Sequence, residues 1–368
     1  MYPDAFCIFS RGTRMRKTTA ILLILLFLTA CGSETAVVET TVPEIAAVET
    51  TIAETEAPAT EPATVPTEPA EERFLLTFAG DCTFGSNPVN RYALSSFENT
   101  VGEDWAYPFA NVLSYFEKDD CTMVNLEGTL TETGFMLPKA FNFKGSPAYV
   151  NILTENSVEA VSLANNHSMD YSQEGYDNTR ATLDAAGIPY AQTNQTTVFT
   201  TESGLTIGIY GTVYYSMDVE HMVSEITAMK EQDIDVIIFA PHWGAEEYYK
   251  PNNLQEDAGH AAIDAGAHIV WGSHPHVLQP VETYGQGIIY YSMGNFSFGG
   301  NIYPSDYDTA IIQQEVIRHP DGLVTLGETT IVPCSVTSEE GRNNFQPTPC
   351  EPGSEQHTRV LKKLGLSE

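Results

Sequence analysis

The segment His274-Pro275-His276 closes an apolar, strand-like run, Ala267-His268-Ile269-Val270-Trp271-Gly272, and two imidazoles at the end of a strand are half of a metal site. Four more strand-like runs end in side chains that can bind metals. Phe74-Leu75-Leu76-Thr77-Phe78-Ala79 leads into Gly80-Asp81, and Cys121-Thr122-Met123-Val124 into Asn125-Leu126-Glu127. Ala160-Val161-Ser162-Leu163-Ala164 leads into Asn165-Asn166-His167, and Val236-Ile237-Ile238-Phe239-Ala240 into Pro241-His242. Taken singly each has an ordinary structural reading, since Asp after Gly suits a turn and a histidine can be a satisfied core residue. Taken together, the carboxylates Asp81 and Glu127, the amide of Asn166 and the imidazoles of His242, His274 and His276 form a donor set for divalent ions such as Mn, Fe or Zn. Two such ions about 3.5–4 Å apart can clamp a phosphoryl group and make hydroxide available near neutral pH. His167, beside Asn166, is then the candidate general acid for a leaving oxygen.

These residues meet only if the strands that carry them are parallel neighbours, because open α/β sheets bind ligands beyond the carboxyl ends of their strands. The intervening sequence fits that requirement. A helix is predicted from Tyr176 to Ala186, stopped by Gly187-Ile188-Pro189, and another from Leu254 to Ala265, stopped by Gly266. Later runs, Gly287 to Tyr291, Thr309 to Ile317 and Leu323 to Val332, read as strands joined by turns. Alternating βα units with a β-rich end predict one large α/β domain over residues 73–335, with two facing sheets and helices outside. Residues 336–368 read as a polar tail with a short helix candidate from Thr358 to Leu366.

The amino-terminal part has a different character. Read from Met15, Arg16 and Lys17 precede Ile21-Leu22-Leu23-Ile24-Leu25-Leu26-Phe27, and the stretch ends in Leu28-Thr29-Ala30-Cys31. This predicts a signal peptide over residues 1–30 and, from the resemblance of Leu-Thr-Ala-Cys to a bacterial lipobox, a lipid on Cys31. Residues 32–72 hold ten Glu, many Thr, Pro and Ala, no aromatic residue and no Lys or Arg. Such a segment has nothing to bury against the entropy of ordering, and it reads as an extended tether to the outer face of a membrane. With 49 acidic and 17 basic residues the net charge is −32, which excludes nucleic acid as a partner held by charge. Six cysteines do not make a disulfide framework in a chain of this length. Cys82 ends one strand and Cys121 starts another, so in a parallel sheet they stay apart; whether Cys334 and Cys350 pair is left open.

The motifs Gly80-Asp81, Asn125-Leu126-Glu127-Gly128, Ser162-Leu163-Ala164-Asn165-Asn166-His167 with Asp170-Tyr171, His242-Trp243-Gly244, His274-Pro275-His276 and Tyr291-Ser292-Met293-Gly294-Asn295-Phe296 follow one another in an informative order and spacing. In both respects the chain resembles the CapA family of poly-gamma-glutamate capsule synthesis proteins, within the calcineurin-like metallophosphatase superfamily, over roughly residues 73 to 300. The resemblance implies a four-layer α/β/β/α sandwich with two divalent metal ions at the sheet ends. It also implies a membrane-attached partner of a polyglutamate synthase. By the same resemblance Asp81 is the first ligand, Glu127 the bridging carboxylate, Asn166 the amide ligand and His167 the acid. His242 and His274 complete one metal, and His276 faces the other. Three positions depart from the superfamily pattern: Thr83 stands where a His is usual, Glu127 where Asp is, and Ser273 where another His is frequent. They imply one firmly held ion and one weakly held. Lys144 falls where the family has a basic residue and is a candidate contact for a phosphate or γ-carboxylate, and Asn295 a candidate substrate contact. Three functions remain open: a metal-dependent phosphoester hydrolase, an accessory module that binds polyglutamate or the synthase without hydrolysis, and metal-assisted chemistry on the γ-amide of polyglutamate.

Overall fold

The computed structural model describes residues 70–366. The predicted signal peptide, the lipidation site Cys31 and the tether as far as residue 69 lie outside the described residues. The chain forms β1 (Glu72–Thr83), β2 (Cys121–Leu126), β3 (Thr129–Leu130), β4 (Lys144–Gly145), β5 (Ala160–Ser162), β6 (Tyr190–Ala191), β7 (Gln195–Thr200) and β8 (Thr206–Val213). It continues through β9 (Val236–His242), β10 (Ile269–Trp271), β11 (Val281–Tyr284), β12 (Gly287–Tyr290), β13 (Asn295–Phe298), β14 (Asp308–Arg318), β15 (Val324–Ser335) and β16 (Thr348–Pro349). One sheet runs β16-β15-β14-β1-β2-β5-β6, with β13 also paired to β1, and the second runs β11-β12-β10-β9-β8-β7. The centre of each is parallel, β1-β2-β5-β6 in one and β8-β9-β10-β12 in the other. Antiparallel strands extend the first sheet beyond β1 and close both edges of the second.

The period of two along the strands sorts side chains into layers. Phe74, Leu76 and Phe78 of β1 join Ile207 and Ile209 of β8, Ile238 of β9 and Trp271 of β10 in a core between the sheets. Alternate residues face outward. Ala79, Val124, Leu126 and Val161 pack with Phe97, Phe109, Phe116 and Leu183 on one side. On the other, Tyr210, Ile237, Phe239 and Val270 pack with Met222, Ile226 and Met229 of the helix Val219–Lys230 and with Ala258 and Ala262 of the helix Asn253–Ala265. Each of these large apolar side chains contributes about 1.5–3 kcal/mol by leaving water. Helix, sheet, sheet, helix is the predicted four-layer sandwich. The helix Ser172–Ala186 begins four residues before the predicted start and ends at left-handed Gly187, as predicted.

The predicted domain limit at residue 335 is corrected by the packing beyond it. β16 pairs with β15, Phe345 is fully buried, and the helix Glu355–Lys363, starting earlier than its predicted Thr358, docks on the sheet. Val360 and Leu364 bury against Leu278 and Ala310. Arg359 donates to both carboxylate oxygens of buried Asp308, at 2.6 and 2.7 Å, and Lys363 donates to Asp306 at 2.6 Å and Asp308 at 2.7 Å. Polarity here marks a charged docking face, which composition alone reads as a tail.

The cysteines Cys82, Cys121, Cys334 and Cys350 are free thiols. Cys82 pairs in register with Leu126 while Cys121 pairs with Leu76, at opposite ends of β1, as predicted. Cys334 pairs with Pro349, so Cys350 is one residue out of step with it, and strand alternation turns it toward the other face. The open question of a Cys334–Cys350 disulfide is thereby answered against the bridge.

Burial works to raise the pKa of Asp308, but Arg359 and Lys363 outweigh it and hold the carboxyl below its ordinary value. A depressed native pKa contributes stability that is complete above the unfolded pKa and is lost as pH falls through the native one. Asp308→Asn is expected to destabilise the full chain by about 2 kcal/mol at pH 7, read as a lower urea midpoint. The gap from wild type should narrow below the ordinary Asp range; an undiminished gap at low pH would contradict the assignment.

Candidate metal centre

The parallel register brings the candidate residues together before any side chain is considered. Asp81 pairs with Asn125 of β2 on one side and with Asn295 of β13 on the other. His242 ends β9 and bridges Ser273, just past β10. The approach of β1 to β13 is so close that a Cβ on Gly80 would lie 2.0 Å from the carbonyl oxygen of Gly294. Only glycine fits there, and the backbone N–H of Asp81 donates to the same oxygen at 2.9 Å.

Side chains then converge from both sheets. Asp81 is fully buried; its Oδ1 accepts from Asn125 Nδ2 at 2.8 Å, and its Oδ2 is 3.3 Å from His276 Nδ1. Asn166 Oδ1 lies 2.8 Å from His242 Nε2, which is 3.1 Å from His274 Nδ1. Glu127 sits among them, fully buried, with its Oε1 3.7 Å from both His167 Nε2 and His242 Nε2 and 3.9 Å from His276 Nε2. Neither carboxylate oxygen of Glu127 has a hydrogen-bond partner. Asp81, Glu127 and His276 offer ligand atoms within 4.8 Å of one another.

The electrostatics follow from burial. It pushes the Glu127 carboxyl well above the usual range, opposed mainly by the charge of His276. It pushes His242 well below the usual imidazole value and His274 down to about 4, with repulsion from the neighbouring rings adding to both. His276 goes the other way: burial lowers it, but Glu127 and Asp81 outweigh burial and hold it up at about 10. His242 and His274, held neutral beside a buried carboxylate that has no hydrogen-bond partner, are groups that suit a divalent cation.

Supporting residues fix these groups in place. Asn295 Oδ1 lies 2.9 Å from His276 Nδ1, which directs Nε2 at Glu127, and Ser273 Oγ lies 2.8 Å from His242 Nδ1. Such contacts set the ring orientation and tautomer of a ligand. Asn295 is therefore placed beside His276 as a ring-positioning contact. The Thr83 hydroxyl donates to the backbone oxygen of Glu127 at 2.8 Å. Lys144, the predicted anion contact, lies over the Tyr171 ring at 4.9 Å. The cation that touches the cluster is Lys139, which sequence reasoning missed: its Nζ donates to Asp170 at 2.6 Å and to the backbone oxygen of Asn166 at 2.9 Å, and lies 3.3 Å from His167 Nδ1. Asp170 was also unassigned. Its Oδ2 is 2.7 Å from His167 Nδ1 and accepts from the Phe143 N–H at 2.6 Å, so His167 presents Nε2 to the cluster. Its position three residues after His167 was the available signal; Lys139 lies in a loop and left none.

Carboxylates, an amide and imidazoles gathered at the carboxyl ends of two facing parallel sheets make this a two-sheet α/β sandwich with a candidate metal centre. The family model for the bacterial capsule synthesis protein PGA_cap matches residues 75–300, and the chain belongs to that family. It is 29% identical over 273 residues to the capsule biosynthesis protein CapA of Bacillus anthracis, covering 66% of this chain and 64% of that protein. It is 27% identical over 277 residues to the PGA biosynthesis protein CapA of Bacillus subtilis, covering 69% and 70%. The chain thus spans about two thirds of the length of these curated relatives. The solved NAD nucleotidase of Haemophilus influenzae overlaps with a TM-score of 0.39 at 13% identity, covering 80% of this chain and 63% of that one.

If Glu127 is held for a cation, replacing it by the neutral amide has opposite effects in the two states. Without metal, Glu127→Gln should unfold at a higher temperature than wild type, since it removes an unpartnered buried carboxylate. With Mn²⁺ at one hundred times its Kd the wild type should gain about 2.7 kcal/mol, and the variant far less. Thermal unfolding in EDTA and in Mn²⁺ reads both; equal metal-induced stabilisation of the two proteins would overturn the role.

Proposed function

We propose that this protein is a lipid-anchored, extracytoplasmic component of poly-gamma-glutamate capsule synthesis or export whose cluster is a metal-dependent phosphoester hydrolase site. The observation that carries the hydrolase reading is Glu127, a buried carboxylate with no hydrogen-bond partner, ringed by His167, His242 and His276. Asp81, Glu127 and His276 would hold one ion, and Glu127, Asn166, His242 and His274 the other. Bound ions would supply Lewis acidity toward a phosphoryl oxygen and a water acidic enough to ionise near neutral pH.

The remaining steps belong to the chain. His167 Nε2 carries the proton for the leaving oxygen. Burial leaves His167 below its ordinary imidazole value, and Asp170, which holds the opposite ring nitrogen, limits that fall. Lys139 fixes Asp170 and the Asn166 backbone together, so acid and amide ligand move as one unit. In so acidic a protein an anionic substrate, whether a phosphoester or a polyglutamate γ-carboxylate, needs local cations, and the metal ions with Lys139 are where they would be.

The capsule assignment rests on the family and on relatives named for capsule and PGA biosynthesis. Partnership with a membrane polyglutamate synthase is part of the same reading. The anchor rests on the sequence around Cys31; no helix among the described residues is long and apolar enough to cross a membrane. A second reading, a polyglutamate- or synthase-binding accessory without turnover, is favoured by one observation. Thr83 spends its hydroxyl on a backbone oxygen and offers no imidazole to the ion at Asp81.

Full chain in detergent, loaded with Mn²⁺ or Zn²⁺, should hydrolyse nitrophenyl phosphomonoesters or diesters. His167→Gln should lower kcat about 10²–10⁴-fold with metal content unchanged, while Asn166→Ala and His274→Ala should lose metal and turnover together. A metal-loaded wild type inert on both ester types would replace the hydrolase reading by the accessory one. Cys31→Ser should move the protein from the membrane to the soluble fraction in its host; retention in the membrane would contradict the lipid anchor.

A further inference from the structure

A second set of metal-binding atoms stands beside the one already described and includes a residue with no assigned role. Glu246, His274 and His276 offer ligand atoms within 4.8 Å of one another, with Glu246 exposed, His276 half-buried and His274 buried. Exposed carboxylates come near histidines on many surfaces, so what matters is whether this one is held there.

The backbone holds it. The N–H of Glu247 donates to the carbonyl oxygen of Pro275 at 2.8 Å, tying the loop after β9 to the centre of the His-Pro-His segment. The Glu247 carboxylate accepts from Ser305 Oγ at 2.6 Å, and the carbonyls of Tyr248 and Lys250 accept from Gln279 Nε2 at 2.8 and 3.2 Å. Among the described residues seven non-glycine residues have positive φ, and three of them are Glu247 (62°), His274 (99°) and His276 (56°). Two facing loops thus hold an uncommon backbone conformation, which concentrates where side chains must be aimed. His274 is also braced from outside by Tyr214, stacked on its ring at 4.9 Å between centroids.

We propose that Glu246 is a metal ligand that, with His274 and His276, binds one divalent cation at the mouth of the cluster. Two imidazoles and a carboxylate, with further positions open to water, are a donor set that serves catalytic zinc and non-haem iron. The outer group shares His276 with the set of Asp81 and Glu127, and His274 with the set of Glu127, Asn166 and His242, so its occupancy is linked to theirs. The loop after β9 then supplies the cation at the mouth with an anionic donor. Solvent and an incoming phosphoryl or carboxylate oxygen reach that ion first.

The proposal rests on the metal reading of the cluster, and the test separates the two. Equilibrium dialysis of the full chain in detergent against Mn²⁺ and Zn²⁺, with elemental analysis, is run for wild type, Glu246→Gln and Glu246→Ala. Wild type should bind the ions of the cluster more tightly and one equivalent at its mouth more weakly. Both variants should lose the weaker one, with at least a tenfold rise in its Kd, and keep the tighter ions and wild-type thermal unfolding in EDTA. Wild-type stoichiometry and affinities in both variants would overturn the role of Glu246 while leaving the metal centre standing. A wild type that binds no ion would overturn both.

Discussion

A carboxylate at full burial with no hydrogen bond is the constraint around which this protein is arranged. Glu127 lies between two sheets, its two oxygens unpartnered and three imidazoles a little too far away to bond it. Burying a carboxyl without a hydrogen-bond partner costs free energy, and Glu127 carries a cost of that kind in the folded chain. The large apolar core between the sheets absorbs it, and a divalent cation would offset it. The metal centre is in this sense a local instability maintained by a stable scaffold.

The scaffold fixes the site through register more than through side-chain packing. Because β1, β2 and β13 run parallel with Asp81 level with Asn125 and Asn295, two neighbouring strands deliver polar groups to the same height. The second sheet delivers His242 and the His274–His276 segment from across the inter-sheet core. Gly80 permits this by letting two backbones meet where no side chain fits. The site is thus the meeting of two sheets, and a slip in either register would separate its halves.

Much of this was legible in the sequence because buried parallel strands read as continuous apolar runs that stop abruptly at polar residues. Asp81, Glu127, Asn166, His242, His274 and His276 all lie at such stops. Asn125 was within reach too, since it stands two residues before Glu127 and the alternation of β2, carried one step past its end, places them on one face. Lys139 and Glu246 were hidden because loops have no period. Their positions depend on hydrogen bonds to distant backbone, to Asn166 in one case and, through Glu247, to Pro275 in the other. The docking of the C-terminal helix was hidden for a different reason. Its basic pair Arg359 and Lys363 and its apolar pair Val360 and Leu364 are each spaced by four residues, but the Asp308 that gives the basic stripe its meaning is about fifty residues away.

Charge connects the site to the rest of the molecule. Against 49 acidic residues and 17 basic ones, a polyanionic chain approaching this surface is repelled nearly everywhere. The cluster does not escape that field: Asp81, Glu127, Asp170 and Glu246 put four carboxylates near its histidines, with Lys139 as the contacting lysine. Without metal the centre would reject an anion as firmly as the surface does. With divalent ions in place it becomes a local positive well whose depth depends on occupancy, and the weakest-held ion has the largest influence on whether an anion can enter. Metal binding would then act as the condition for substrate binding as well as for chemistry, and the same condition would apply whether the anion is hydrolysed or only held.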